Sequence, residues 1–334
     1  MATCKIAING FGRIGRLTLR ALLEKADADV EIVAINDLTD NATLAHLFKY
    51  DTAHGKFGGT VSSDDDSISI NGTRMNAYAE RDPSNLPWGD LGVDIVLECT
   101  GFFRKKEDAA KHITAGAKKV LISAPGKGDV KTIVLGINDE QLTAEDTIVS
   151  NASCTTNCLS QLVKVLDTTF GIVRGSFTTV HAYTSDQKIQ DAPHSDLRRA
   201  RAAAVNIVPT STGAASAVAK VYPGVAGKLT GMAARVPVIT GSLTDLTCVL
   251  AKSASADEIN AAFKAAADGE QKGYLEYSEE PLVSSDIVSN PYSCIYDAPM
   301  TIVIGDLVKI IGWYDNEAGY ANRLADLAVK MAKL

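Results

Sequence analysis

The chain has 334 residues, of which 46% are hydrophobic and 22% charged, and its formal net charge at pH 7 is −7. This length allows two domains, and the acidic balance argues against nucleic acid or an anionic membrane as the main partner. Six cysteines in so long a chain do not predict a disulfide scaffold or a zinc ribbon, so we expect a reducing, cytoplasmic setting.

The N-terminal residues predict a dinucleotide-binding turn. Lys5–Asn9 has the pattern of a strand, the sequence GFGRIG occupies residues 10–15, and Arg16–Leu23 has helical spacing. A second strand, Val30–Asn36, follows and ends next to Asp37. A GxGxxG sequence alone is weak evidence for a dinucleotide site. Here a strand precedes it, a helix follows it and an acidic residue lies about twenty positions further on, which is the arrangement of dinucleotide-binding turns.

Each residue of this turn has a physical role in the prediction. Gly10 allows a tight turn, Gly12 lets the backbone approach a pyrophosphate, and Gly15 lets the helix pack against the strand. Asp37 would accept hydrogen bonds from ribose hydroxyls and would repel a 2′-phosphate, which favours NAD over NADP. The alternative is a glycine-rich turn in some other α/β protein.

The remainder of the first half continues the alternation of strands and helices. Helices are predicted at residues 41–50 and 106–115, and strands at 94–101, 119–123, 132–138 and 147–150. The acidic run at residues 64–66 predicts a solvated hairpin tip rather than a metal site, because no further ligand is suitably spaced. This order predicts an α/β domain of the doubly wound Rossmann type.

A candidate nucleophile follows the last of these strands. Cys154 lies in the sequence SNASCTTNC, residues 150–158, between a strand and the helical pattern that begins at Leu159. A cysteine at a helix N-terminus faces unpaired N–H groups, and this position favours the thiolate. A buried structural cysteine is the alternative, and the sequence around Cys154 leaves the two open.

The second half is richer in strands. Alternating runs at residues 176–183, 232–238, 243–251, 293–296, 300–304 and 308–314 predict a mixed or antiparallel sheet with helices on one face. Helices are predicted at residues 213–221, 256–267 and 319–333. This α+β pattern places a domain boundary near residue 150.

His181 is the best candidate for a base to activate Cys154. It ends a predicted strand in the same half of the chain, and a thiol needs a partner with a pKa close to neutral. The stretch from Thr184 to Ile207 has little periodicity, and its basic cluster, Arg198 to Arg201, is either a solvated face or an interface. The sequence does not establish that Cys154 and His181 meet.

These residues resemble the phosphorylating glyceraldehyde-3-phosphate dehydrogenases, and the resemblance covers essentially the whole chain. The matching segments are INGFGRIGR at residues 8–16, ASCTTN at 152–157, DLRR at 196–199, WYDNE at 313–317, and Tyr320. The resemblance implies oxidation of glyceraldehyde 3-phosphate to 1,3-bisphosphoglycerate with NAD and inorganic phosphate. It also implies a cytoplasmic homotetramer whose long loop reaches a neighbouring subunit.

The resemblance further implies a role for each matching residue. Cys154 would be the nucleophile and His181 its base. The NAD site would comprise Gly10, Gly12, Arg13, Ile14, Gly15, Asp37, Arg81, Thr100, Ser123, Asn316 and Tyr320. The substrate phosphate would be bound by Thr184 and Arg235, and the inorganic phosphate by Ser153, Thr155, Thr212 and Gly213. We expect an NAD-binding domain of residues 1–150, joined by the C-terminal helix 317–334, and a catalytic domain of residues 151–316.

Three other functions are alternatives to the one that the resemblance implies. Erythrose-4-phosphate dehydrogenase resembles this family but departs from it at Thr184 and in the region of residues 210–213, whereas this chain does not. A cysteine hydrolase would not need the dinucleotide sequence, and a non-enzymatic binding protein would not need Cys154 and His181. Cys158, one helical turn after Cys154, is expected to be a packing residue rather than a redox partner.

Overall fold

The computed structural model describes residues 3–25 and 28–334. The described residues form two compact units, each with its own sheet. The first unit comprises Met1–Ile133, Glu140–Ala152 and Ala321–Leu334, and the second comprises Val134–Asp139 and Ser153–Tyr320. The last helix therefore begins in the second unit and continues in the first.

The first unit contains nine strands and four helices among its described residues up to Ala152. The strands are β1 (Cys4–Asn9), β2 (Val30–Asn36), β3 (Val61–Asp64), β4 (Ser67–Ile70), β5 (Thr73–Tyr78), β6 (Ile95–Glu98), β7 (Lys119–Ile122), β8 (Lys131–Thr132) and β9 (Ile148–Ser150). The helices are α1 (Arg13–Leu23), α2 (Asn41–Lys49), α3 (Trp88–Leu91) and α4 (Lys106–Thr114).

The sheet of the first unit has the order β3-β4-β5-β2-β1-β6-β7-β9-β8. Its central strand β1 is parallel to both neighbours, and Asn9 lies in register with Asn36 on β2 and Glu98 on β6. Because these three residues end their strands, the turns that follow meet at one edge, the edge where ligands of open α/β sheets bind. The prediction of a doubly wound domain is confirmed.

The second unit contains the remaining strands and three complete helices among the described residues. The strands are β10 (Ile172–Ala182), β11 (Val208–Ser211), β12 (Leu229–Val236), β13 (Ser242–Leu250), β14 (Leu275–Ser278), β15 (Cys294–Asp297), β16 (Ile302–Ile304) and β17 (Leu307–Tyr314). The helices are α5 (Cys154–Phe170), α6 (Ala214–Val221) and α7 (Ala256–Asp268), and α8 (Ala318–Ala332) continues into the first unit.

The sheet of the second unit is mixed, as predicted, with the order β11-β12-β10-β13-β17-β15-β14 and β16 paired to β17. Helix α5 packs on this sheet through Leu159, Leu162 and Leu166, all fully buried. Phe263 of α7 stacks on Tyr296 of β15 in the same core, with ring centroids 3.8 Å apart. The packing holds α5 against the strands that carry the other site residues.

The sequence-based prediction of a strand at residues 132–138 was wrong beyond Thr132. The side chain of Asn138 accepts a hydrogen bond from the N–H of Val134 at 2.8 Å, and that of Asp139 accepts one from the N–H of Gly136 at 2.8 Å. Gly136 has a φ of +79°, in the left-handed region. These local bonds form turns where the apolar pattern alone indicates a strand. The short strands β11 and β14 were not predicted.

Candidate active site

The glycines of residues 10–15 have the geometry that a dinucleotide turn needs. Gly10 has a φ of +91°, and a Cβ atom on it would lie 2.7 Å from the N–H nitrogen of Thr100. A Cβ atom on Gly15 would collide with the carbonyl oxygen of Gly10. Around Gly12, by contrast, a Cβ atom would meet nothing within 4 Å, so the open backbone at the start of α1 can approach a pyrophosphate.

Asp37 joins this turn to the end of β2. Its Oδ2 accepts the N–H of Phe11 at 2.8 Å and its Oδ1 accepts the N–H of Thr39 at 3.0 Å. A carboxylate oxygen accepts more than one hydrogen bond, so ribose hydroxyls can still bind here. A cleft of about 440 Å³ opens beside it, and its lining includes Gly10, Gly12, Asp37, Arg81 and Thr100.

Thr100 is held against this cleft by a buried carboxylate. Both its N–H, at 2.8 Å, and its hydroxyl donate to Glu98 Oε1. Ser123 follows the last residue of β7, and its N–H donates to the carbonyl oxygen of Glu98 at 2.9 Å. The next residue along the chain after Glu98, Cys99, lines the cleft. The predicted residues Thr100 and Ser123 are thus brought to the same sheet edge as Gly10.

Two of the predicted NAD residues, Arg13 and Ile14, lie in the first turn of α1. The Arg13 guanidinium forms an ion pair with the buried Asp51 and lies 3.3 Å from His54 Nδ1. Burial alone would raise the pKa of Asp51, but hydrogen bonds from His54 and Arg13 outweigh it and hold that pKa well below its usual range. Ile14 is half-buried in the first turn of α1. The assignment of Arg13 and Ile14 to the NAD site stays a prediction.

Cys154 is the first residue of α5. Ser153 caps this helix, its Oγ accepting the N–H of Thr156 at 3.1 Å. Ala152, just before, has a φ of +57°, an uncommon conformation for alanine that functional sites often contain. The helix N-terminus therefore directs its unpaired N–H groups and its positive dipole at the cysteine.

His181 lies beside the thiol. Its Nε2 is 3.4 Å from Cys154 Sγ, and its ring is 4% exposed. The predicted nucleophile and base therefore meet, which the sequence did not establish. Strand pairing sets Arg235 of β12 directly opposite His181 of β10, and Arg235 Nη1 lies 2.9 Å from His181 Nδ1.

The charge balance of this pair differs from the sequence-based expectation of a resting thiolate. Burial raises the pKa of the Cys154 thiol, although the Arg235 charge and the N–H of Thr155 act in the opposite direction. Burial, reinforced by the Arg235 charge, lowers the pKa of His181 to about 3. Both shifts favour the neutral forms, and a thiolate forms when the thiol proton passes to the imidazole.

Tyr314 was missed as a site residue by sequence reasoning. Its hydroxyl lies 2.9 Å from Thr155 Oγ1 and 2.7 Å from Thr179 Oγ1, and its ring meets His181 edge-on with centroids 5.9 Å apart. It thus links α5 to β10 beneath the Cys154–His181 pair. Where the Tyr314 hydroxyl donates to Thr155 Oγ1, the Thr155 O–H remains available to an anion.

The other predicted phosphate ligands lie in the loop after β10 and at the start of α6. Thr184 is half-buried, and Thr212 Oγ1 accepts the N–H of Ala214 at 3.3 Å. Gly213 precedes the first residue of α6 and is exposed. These residues place hydroxyl and N–H groups at one end of β11 and one helix N-terminus.

Arg199 was also missed as a candidate ligand, although the basic cluster that contains it was noted. Its guanidinium binds Asp186 at 2.7 Å and Thr210 Oγ1 at 3.0 Å. Its Nη2 lies 3.4 Å from the carbonyl oxygen of Ser211, next to Thr212. The loop therefore places the Arg199 guanidinium against the end of β11. No local sequence pattern predicts this contact.

Asn316 and Tyr320 lie at the end of β17 and on α8. Asn316 Oδ1 accepts from Ser242 Oγ at 2.9 Å, so its amino group is oriented elsewhere and can donate to a carboxamide. Asp315 accepts the N–H groups of Glu317 and Ala318 and thereby caps α8. Tyr320 is 5% exposed.

Cys158 is fully buried, and its thiol donates to the Gly312 carbonyl oxygen at 3.7 Å. Such burial accords with packing.

Within residues 3–25 and 28–334, no group of three or more His, Cys, Asp or Glu side chains is arranged to hold a metal ion. No helix in the same ranges is long and apolar enough to cross a membrane.

Comparison with known proteins gives consistent results for both halves of the chain. The model of the glyceraldehyde 3-phosphate dehydrogenase NAD-binding domain matches residues 4–106, and that of the C-terminal domain matches residues 153–316. Glyceraldehyde-3-phosphate dehydrogenase 2 of Streptomyces avermitilis is 58% identical over 329 residues, 98% of each chain. The glyceraldehyde-3-phosphate dehydrogenase of Thermotoga maritima is 57% identical over 331 residues, and that of Mycobacterium tuberculosis 57% over 336, each covering 99% of both chains.

Proposed function

The chain belongs to the glyceraldehyde-3-phosphate dehydrogenase family, and we propose that it oxidises glyceraldehyde 3-phosphate to 1,3-bisphosphoglycerate with NAD and inorganic phosphate. The observation that carries this proposal is the Cys154–His181 contact of 3.4 Å at the N-terminus of α5. It joins a nucleophile to a base, as covalent catalysis on an aldehyde requires.

The first step forms a bond between Cys154 and the substrate. His181 Nε2 takes the thiol proton, Sγ attacks the aldehyde carbon, and the proton passes to the oxygen to give a hemithioacetal. The N–H of Cys154, at the helix start, stabilises the developing oxyanion. Thr184 and Arg235 hold the substrate phosphate, and the buried Nε–H of Arg235, which has no protein partner among the described residues, suits an anionic ligand.

The second step oxidises the bound carbon. NAD, held at the glycine turn and Asp37, supplies the hydride acceptor. His181 takes the hydroxyl proton as the carbon–oxygen double bond forms, which leaves a thioester on Cys154. The open backbone at Gly12 and the Asp37 carboxylate fit the pyrophosphate and ribose of this cofactor.

The third step returns the enzyme to its resting state. Inorganic phosphate attacks the thioester carbon, the carbon–sulfur bond breaks, and the Cys154 thiolate regains a proton. We assign this phosphate to Ser153, Thr155, Thr212 and Gly213. The support is the presence of two helix N-termini, those of α5 and α6, at these residues.

We further propose that the two compact units correspond to an NAD-binding domain and a catalytic domain. The first contains the glycine turn and the cleft, and the second contains Cys154 and His181. The proposed homotetramer is supported by the loop after β10, whose apolar side chains Ile189, Leu197 and Val205 are 88%, 81% and 77% exposed. Burial of these side chains against a neighbouring subunit would remove their apolar surface from water. A cytoplasmic location remains part of the proposal.

The test is the absorbance of NADH formed from glyceraldehyde 3-phosphate, NAD and phosphate. We expect turnover with all three and, with erythrose 4-phosphate in place of the substrate, a much lower kcat/KM. Cys154→Ser, which keeps the shape of the side chain, should remove the activity, and Cys158→Ser serves as the matched control. Activity retained by Cys154→Ser, or a higher kcat/KM with erythrose 4-phosphate, would refute the proposed function.

A further inference from the structure

We propose that Arg235 sets the tautomer of His181, and that the substrate phosphate, by drawing the Arg235 guanidinium away, converts His181 into the form that accepts the thiol proton. The first half of this inference stands on the hydrogen bonds around His181. The second half rests on the proposed function, because it requires Arg235 to bind the phosphate of the substrate. Arg235 would thus be a positioning residue for the base as well as a phosphate ligand.

His181 Nδ1 has two competing neighbours. It lies 2.7 Å from the carbonyl oxygen of Ala182 and 2.9 Å from Arg235 Nη1. The same Nη1 is 3.1 Å from the Ala182 oxygen. A carbonyl oxygen can only accept a hydrogen bond and a guanidinium can only donate one. Nδ1 therefore cannot satisfy both neighbours with one protonation state.

The two arrangements have opposite consequences at the thiol. When Nδ1 accepts from Arg235, the single proton of the neutral ring is on Nε2 and points at Cys154 Sγ, which lies 3.4 Å away. In this form the ring cannot take the thiol proton. When Nδ1–H donates to Ala182, Nε2 presents a lone pair to the thiol and acts as the base. The guanidinium in its present place favours the first form.

Within residues 3–25 and 28–334, no other group that faces the ring competes for Nδ1. The Tyr314 hydroxyl is engaged by Thr155 and Thr179, and Cys154 faces Nε2. Arg199 acts on His181 through its charge, but its guanidinium is bound to Asp186 and Thr210. Among the described residues, the choice of tautomer is thus left to Ala182 and Arg235.

Arg235 also has a reason to move. Its Nε–H is buried without a hydrogen-bond partner in the described part of the chain. A phosphate dianion beside the guanidinium would bind Nε–H and one Nη–H together, as arginine does with planar or branched anions. That rotation removes Nη1 from His181. One proton then moves from Nε2 to Nδ1 by exchange with water, and the imidazole stays neutral.

The consequence is that phosphate binding contributes to the chemical step. An aldehyde without phosphate would leave Arg235 on His181 and meet a base in the wrong tautomer. The phosphorylated substrate would therefore have a higher kcat as well as a lower KM. Binding of a remote group accelerates a reaction in this way. A phosphate site that acted only as an anchor would change KM alone.

The direct test is magic-angle-spinning NMR of the full-length enzyme labelled with 15N-histidine, since the 15N shifts distinguish protonated from unprotonated ring nitrogens. His181→Gln identifies the His181 signals by difference. Without ligand, wild-type His181 should carry its proton on Nε2, and Arg235→Leu should move it to Nδ1. A proton on Nδ1 in the ligand-free wild type would overturn the proposal, even if the variant fails to fold.

The second arm adds glycerol 3-phosphate, an unreactive molecule that carries the same phosphate group. We expect the proton of wild-type His181 to move to Nδ1 as the ligand saturates. Saturation with no change of tautomer would overturn the switch. If the affinity for glycerol 3-phosphate is equal in wild type and Arg235→Leu, the phosphate assignment in the proposed function fails. In that case the proposed change of tautomer on phosphate binding fails together with the phosphate assignment. The comparison of ligand-free wild type with ligand-free Arg235→Leu still decides whether Arg235 sets the tautomer of His181.

Discussion

Acidification should destabilise the folded chain through His181, and replacing this residue by glutamine should remove that part of the effect. The ring is 4% exposed, and burial together with the Arg235 charge lowers the pKa of His181 to about 3. In the unfolded chain the same group has a pKa of about 6.5. The unfolded state therefore binds a proton that the folded state rejects, so stability is complete above the unfolded pKa and is lost as the pH falls.

The magnitude follows from the two pKa values. Each pH unit between them costs up to about 1.4 kcal/mol, so His181 alone should cost about 2 kcal/mol when the pH falls from about 7 to about 5. Glutamine at this position can hydrogen-bond but does not titrate. The variant should therefore lose about 2 kcal/mol less than the parent over the same interval.

Urea unfolding of both proteins at the two pH values, at one protein concentration, measures this difference. All other titrating groups are shared and cancel in the comparison. His46→Gln is the matched control, because His46 is an exposed histidine on α2 and its removal should leave the pH dependence of the parent unchanged. Equal acid sensitivity of the parent and His181→Gln would refute the reasoning that burial keeps His181 neutral.

Three further outcomes are expected. Cys154 should be alkylated by iodoacetamide faster than the other cysteines. Burial raises its pKa, but the Arg235 charge and the N–H of Thr155 oppose that rise, whereas burial raises the pKa of Cys99 to about 12. Peptide mapping that found Cys99 labelled with activity intact would contradict this. The chain should prefer NAD to NADP by at least about tenfold in kcat/KM, or about 1.4 kcal/mol. Asp37→Ala should narrow this preference, chiefly by weakening NAD binding; equal efficiency of the parent with both cofactors would show that Asp37 does not contact the ribose. Arg235→Leu should lower kcat/KM for glyceraldehyde 3-phosphate about a hundredfold. The kcat/KM for unphosphorylated glyceraldehyde should not fall, because this aldehyde makes no phosphate contact and its base is no longer held by Arg235; equal losses would argue against the phosphate contact.

The parts of the structure that local patterns determine were predictable. The glycines at residues 10–15 act through the backbone of one turn, and their spacing predicts the tight turn at Gly10, whose φ is +91°. A helix start at the hydroxyl residues around Cys154 was predicted, but the helical pattern was recognised only from Leu159, and Ser153 was not identified as the cap. Helix and strand boundaries in these regions differ from the predictions by only a few residues.

Contacts between distant residues were not predictable in this way. The register between β10 and β12 sets Arg235 opposite His181, and no local pattern of either strand specifies that pairing. The bond between Tyr314 and Thr155 joins residues 159 positions apart. Local side-chain hydrogen bonds were not predictable from the spacing of apolar residues either. The bond from the N–H of Val134 to the Asn138 side chain forms a turn after β8, where the apolar residues predicted a strand.

The most direct test of the central claim is a rapid-mixing measurement of NADH formation in the absence of phosphate. If Cys154 carries a thioester that only phosphate releases quickly, glyceraldehyde 3-phosphate and NAD should give a burst of about one NADH per active site, followed by slow hydrolysis. Adding phosphate, or arsenate, whose acyl ester hydrolyses by itself, should restore steady turnover. Sustained turnover at the full rate without either anion would mean that water resolves the intermediate, and would contradict the phosphorylating mechanism.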